Sequence, residues 1–162
     1  MPFLVSRLVD GVKYELKKRR ILKDPNIRIE KSAIIFPSVS TVCKASGWIQ
    51  IGKDCQINEH CFIQAHQAGI KIGNDVMIGP FTVIHNAVHN FEKIDVPIRE
   101  QGVFGSPIVI EDDVWIGAHC TIIGGVRIGA HSVIGAHSLV AKSIPSYSIA
   151  YGAPCQIRKS RI

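Results

Sequence analysis

The sequence predicts an all-β chain wound as a single parallel β-helix. Three observations carry that reading. First, aliphatic residues recur every six positions through Ile110, Ile116, Ile122, Ile128, Ile134 and Val140. Second, a compact residue follows most of them four positions later, at Val114, Cys120, Val126, Ser132 and Ser138, and glycine comes directly after the aliphatic at 117, 129 and 135. A period of six is neither that of an α-helix nor that of a simple strand, but it is that of a hexapeptide solenoid. Third, the run leaves no room for the helical crossovers that ordinary parallel strands need. Three hexapeptides make one triangular coil of about 18 residues, and coils stack at roughly 4.8 Å. Each aliphatic then points into a prism and lies over its counterpart in the next coil.

The rest of the chain is read outward from that block. Residues 1–26 form an amphipathic helical segment, in which Leu4, Leu8 and Val12 make a stripe and Lys13, Lys17, Lys18, Arg19 and Arg20 make a basic end. Its expected place is over the open end of the prism or against a neighbour, with weak association with an anionic membrane surface as the alternative. The solenoid spans 27–144, about five coils. Residues 41–50 break its phase, which marks an irregular coil. Order returns at Ile51 and holds to Ile84. Residues 85–107 are a polar excursion, too long for an ordinary connector and so expected to be a functional protruding loop. Residues 145–162 form a basic tail; Pro145 and Pro154 are expected to keep it from continuing the repeat.

At 162 residues the chain makes one domain, with a formal charge of +6 that suits an anionic small molecule. No apolar run reaches the length of a membrane span, and the first residues lack the pattern of a secretory signal, so a cytoplasmic location is expected, with contact at the inner membrane face as an option. The five cysteines do not form metal-ligand pairs. Cys55, Cys61 and Cys120 fall on inward repeat positions and read as reduced core residues. The basic residues lack interleaved aromatics, which argues against nucleic acid.

Chemistry is expected where the loop leaves the rigid coil. Histidine titrates near neutrality, so His89 is the first candidate for a general base and His85 the second. Glu92, Asp95 or a backbone carbonyl would orient the ring. His60, His119, His131 and His137 share one repeat position, which reads as surface decoration, and no metal site is assigned. There is no dinucleotide fingerprint, no phosphate loop and no nucleophile elbow. A base without a nucleophile favours direct transfer between two bound substrates.

The stretches INEHCFI, IGNDVMIGPFTVIHNAVHNF and PIVIEDDVWIGAHC through IPSYSIAYGAPCQIRK resemble the hexapeptide-repeat acyltransferases, closest to bacterial sugar and polysaccharide O-acetyltransferases of the maltose, galactoside and capsule type. The resemblance covers about residues 51–159. It implies a left-handed β-helix, a homotrimer with active sites between subunits, acetyl-CoA as co-substrate and a carbohydrate acceptor. It implies His89 as the base that deprotonates a sugar hydroxyl. It further implies Asn58 as the acceptor-binding residue, with His60 as an alternative and His85 and Trp115 close to the cleft. Gly117, Ala118 and Ala136 would line the pantetheine path, and Lys142 and Arg158 would meet the CoA phosphates. Acetylation of an amino-sugar nitrogen is the second reading. A carbonic anhydrase of γ type, or a non-catalytic assembly subunit, shares the repeat.

Overall fold

A computed structural model describes residues 15–18 and 20–162. The helical stripe expected from Leu4 to Val12 lies outside the described residues; residues 15–18, 20 and 21 are helical. The rest is a left-handed parallel β-solenoid. Its first face stacks β1 (Ile27–Ile29), β4 (Trp48–Ile51), β7 (Gly69–Ile72), β12 (Ile108–Ile110) and β15 (Arg127–Ile128). Its second face stacks β2 (Ile34–Ile35), β5 (Gln56–Ile57), β8 (Met77–Ile78), β13 (Trp115–Ile116), β16 (Val133–Ile134), β18 (Ser148–Tyr151) and β19 (Gln156–Ser160). Its third stacks β3 (Ser40–Lys44), β6 (Phe62–His66), β9 (Val83–His85), β14 (Thr121–Ile123) and β17 (Leu139–Val140). The hairpin β10 (Ala87–His89) and β11 (Val103–Gly105) stands apart.

The hexad aliphatics meet in register. Ile51 pairs with Ile72, Ile72 with Ile110 and Ile110 with Ile128. Ile57, Ile78, Ile116 and Ile134 form the second column, and Ile63, Ile84, Ile122 and Val140 the third. Every one of these side chains is at most 1% exposed. The inward corner cysteines are buried and free. They also bond: the thiols of Cys55, Cys61 and Cys120 donate to the carbonyls of Gly73, Gly79 and Gly135 at 3.0, 3.2 and 3.2 Å. Burial pushes all three thiols up, so they stay protonated.

Three edges join the faces. The acidic edge, from the first face to the second, carries Asp54, Asp75, Asp113, His131 and Tyr147 in the left-handed backbone region. The ring edge, from the second to the third, carries His60, Phe81, His119 and His137 at φ 59, 59, 56 and 58°. Their rings form one column with centroids 4.8–4.9 Å apart. The four histidines that share a repeat position are therefore split: His131 belongs to the acidic edge, bonds Asp113 at 2.8 Å and stacks on Tyr147. The hairpin edge, from the third face to the first, carries the excursion.

Two expectations are corrected here. Residues 41–50 are not an irregular coil: Ser40 to Lys44 pair one for one with Phe62 to His66, so two successive coils share the same wider corner. Pro145 does not end the repeat either. Ile144 bridges to Ile128, and β18 adds a parallel strand on β16 before β19 folds back antiparallel. Proline is tolerated because it sits in the corner, where the ladder needs no donor from it. Lys18, from the basic end of the helical segment, turns inward. It is buried at 6% exposure, and its ammonium donates to the carbonyls of Lys31 at 2.6 Å and Ala33 at 3.0 Å.

Glu111 ties neighbouring coils at the acidic edge. It accepts the Ala130 N–H at 2.7 Å and pairs with Arg127 at 2.5 Å. The Ala130 N–H, and then Arg127, hold its carboxyl below the usual range. A carboxyl lowered by folding stabilises the fold above its unfolded pKa, about 4.3, and that support is lost as pH falls through its folded value. Glu111→Gln should therefore flatten the acid limb of a stability-versus-pH curve below about pH 4.5 and leave the neutral-to-alkaline limb in shape. Ile116→Ala, which empties the middle of a column, should cost about 2–5 kcal/mol in denaturant unfolding.

Candidate active site

The hairpin is seated by one residue. Asn86 is fully buried at its base. Its Oδ1 accepts the His66 N–H at 2.7 Å, and its Nδ2 donates to the Ala68 carbonyl at 3.0 Å. The Asn86 carbonyl accepts the Ser106 N–H at 3.2 Å, closing the base. A side chain on Gly105 would overlap the His66 carbonyl, so the returning strand lies directly on the corner beneath. From there β10 and β11 pair Ala87 with Gly105, Val88 with Phe104 and His89 with Val103.

The tip is held by Asn90 and Gln101. Asn90 donates its N–H to Gly102 and its Nδ2 to the Gln101 carbonyl, both at 3.0 Å. The Gln101 carboxamide donates to the carbonyls of Lys93 and Val96 at 2.7 Å and accepts the Lys93 N–H at 3.0 Å. The excursion is thus a braced hairpin. Asn86, Asn90 and Gln101 were not singled out in the sequence. Their bonds run to backbone atoms, which no side-chain pattern marks.

His89 is exposed at the end of β10, and among the described residues no hydrogen bond reaches its ring. Glu92 accepts the Phe91 N–H instead of orienting the imidazole. His85 is not in the loop: it ends β9 in the solenoid wall, half-buried and paired with Gln64 and Ile123.

The other candidates lie on the ring edge or beside it. Asn58 donates to the Ile78 carbonyl at 2.8 Å and accepts from Gln56 at 3.1 Å. His60 stacks on Phe81. Trp115 stands outward on the second face between Met77 and Val133 and is 52% exposed. Gly117 is buried, and a side chain there would come within 2.6 Å of the Ala136 nitrogen. Its smallness is thus accounted for by coil stacking. Ala118 is half-buried and Ala136 exposed above it. Arg158 lies over the Tyr151 ring, 5.2 Å from its centroid, at the top of this edge. Lys142 is exposed past β17, on the hairpin edge. One chain therefore puts His89 on one edge and Asn58, Gly117, Ala118 and Ala136 on another, with the third face between them. Among the described residues no three His, Cys, Asp or Glu side chains are grouped to hold a metal ion, and no helix is long and apolar enough to cross a membrane.

The model for the bacterial transferase hexapeptide (six repeats) matches residues 107–142. The galactoside O-acetyltransferase of Escherichia coli is 32% identical over 142 residues, covering 87% of this chain and 67% of that one. This chain belongs to the hexapeptide-repeat acetyltransferase family. A hexapeptide-repeat containing acetyltransferase of Vibrio cholerae O1 biovar eltor, solved in complex with acetyl coenzyme A, superposes with a TM-score of 0.73 at 32% identity, over 93% of this chain and 83% of that one. The galactoside O-acetyltransferase of Lactococcus lactis is 42% identical over 91 residues, covering 56% of this chain. The chain spans only 42% of that relative's length. In this acetyltransferase-family chain the matched hexapeptides begin where the hairpin has returned to the prism.

Gln101→Ala removes three hydrogen bonds from the tip and none from the prism. Trypsin should then cut at Lys93 or Arg99 about tenfold faster, with the denaturant midpoint almost unchanged.

Proposed function

We propose that this protein transfers an acetyl group from acetyl-CoA to a sugar hydroxyl of a surface polysaccharide or its precursor, in sites shared between the subunits of a homotrimer. The observation that carries this is the exposed His89 imidazole, held on a braced hairpin and free of internal partners. Support comes from the acetyl coenzyme A bound by the Vibrio relative and from the galactoside O-acetyltransferases among the relatives.

His89 takes the proton of the acceptor hydroxyl, whose oxygen forms a bond to the thioester carbonyl carbon. The carbon–sulfur bond then breaks. The thiolate leaves with the proton that the imidazolium returns, giving an acetyl ester and free CoA. A backbone N–H steadies the intermediate oxyanion. Asn58, with His60 as the alternative, and Trp115 contact the acceptor, and His85 supports the wall behind it. The donor runs along Gly117, Ala118 and Ala136, and Lys142 and Arg158 meet its phosphates. Nothing in this set bars an amine acceptor, so N-acetylation of an amino-sugar is the second reading.

Division of the site between two edges favours a shared active centre: the hairpin edge of one subunit faces the ring edge of the next. Met77 and Trp115 lie side by side on the second face, 48 and 52% exposed, and give it an apolar patch suited to such contact. His89→Ala should lower kcat about 10²–10⁴-fold in donor-dependent acetylation of a sugar panel, with mass spectrometry reporting oxygen or nitrogen as the acceptor. Full turnover in that variant removes His89 as the base. Mixed refolding of His89→Ala with Trp115→Ala chains should restore part of the activity that each lacks alone. Failure to complement argues for a site within one subunit.

A further inference from the structure

A pocket lies on the hairpin edge, one coil below the corner that seats the hairpin. It has a volume of about 370 Å³ and is lined by Pro25, Asn26, Arg28, Trp48, Ile49 and Gln50. Its floor is built for a flat ring. Trp48 pairs in register with Gly69, and its indole lies across the space that a side chain on Gly69 would take. Glycine at 69 thus lets the indole lie down on the backbone of the next coil. The ring is still 43% exposed.

The groups around this ring are donors without work inside the protein. Among the described residues, no hydrogen bond or ion pair engages the side chains of Asn26, Arg28 or Gln50, or the indole N–H of Trp48. Arg28, Gln50 and Lys71 stand side by side in the ladder, so two cations flank one carboxamide at a single coil spacing. The Asp24 carboxylate accepts the Asn26 N–H at 2.9 Å. No acidic side chain lines the pocket.

An exposed aromatic plane ringed by amide and guanidinium donors matches one ligand chemistry well. The C–H face of a pyranose packs on the ring, its hydroxyls bond the amides, and a carboxylate takes the fork of an arginine. We propose that Trp48, Arg28, Asn26 and Gln50 form a subsite for an anionic, carboxylate-bearing saccharide, separate from the residues assigned to catalysis. Its place on the hairpin edge, about 10 Å by coil spacing from β12, lets one oligosaccharide reach both the shelf and the hairpin. The shelf holds sugar whether or not His89 is the base, so its test omits the acetyl donor.

Isothermal titration of the full chain with trigalacturonate reads this directly. Wild type should bind it at least tenfold more tightly than neutral maltotriose. Arg28→Gln and Trp48→Ala should each weaken binding at least tenfold, and Trp48→Phe should recover part of it. Arg28→Gln alters an exposed side chain with no hydrogen bond or ion pair among the described residues, so it answers even if Trp48→Ala folds poorly. Absence of trigalacturonate binding, equal affinity for maltotriose, or unchanged affinity in Arg28→Gln each overturns the proposal.

Discussion

The parallel backbone ladder governs this molecule. Each coil donates its N–H groups to the coil beside it, so any residue is fixed over its equivalent about 4.8 Å away. That single constraint makes columns out of repeats. It puts Ile116 between Ile78 and Ile134 and keeps all three dry. It also explains the inward cysteines. A corner position has a carbonyl of the next coil within reach, and a thiol fills the volume while donating to it.

The same constraint allots chemistry to edges. Faces are occupied by the ladder and by aliphatics, so a side chain that must act on a substrate has to stand on an edge or on something that an edge carries. Here the edges differ sharply. One is acidic and tied by His131, Asp113 and Arg161, with Arg161 Nη1 3.1 Å from Asp113 Oδ2. One is a column of rings. One carries a hairpin, and the hairpin lifts His89 clear of the prism without cutting the columns below it, because Ile84 and Ile108 remain fully buried on either side.

Much of this was legible in the sequence, for a physical reason. A hexad repeat has one solution, and its inward residues can be counted off directly from Ile110 to Val140. The wide corners at 41–47 and 64–68 were not legible, because their regularity is a match between two coils and not a period along the chain. Strand β18 was hidden by Pro145, which reads as a breaker unless the corner that excuses it is known. The excursion was visible as a gap in phase, and the exposed imidazole it carries was visible as a histidine in a polar stretch. Its internal bracing by Asn86 and Gln101 was not, since those bonds run to backbone atoms that no side-chain pattern reveals. The separation of His89 from Asn58 onto different edges also needed coordinates: sequence spacing places both near the same coils but is silent on the side of a triangle.

Among the described residues the first and last coils each have a coil on one side only, and a bare parallel edge would recruit strands from other chains. Lys18 occupies the carbonyls of Lys31 and Ala33 at one end, and the reversed strand β19 covers β18 at the other. A reversed strand presents the wrong polarity for another coil to add to. Addition of another parallel coil along the axis is thereby blocked at that end, so the reversed strand acts as a built-in stop on the stacking that makes the rest of the molecule.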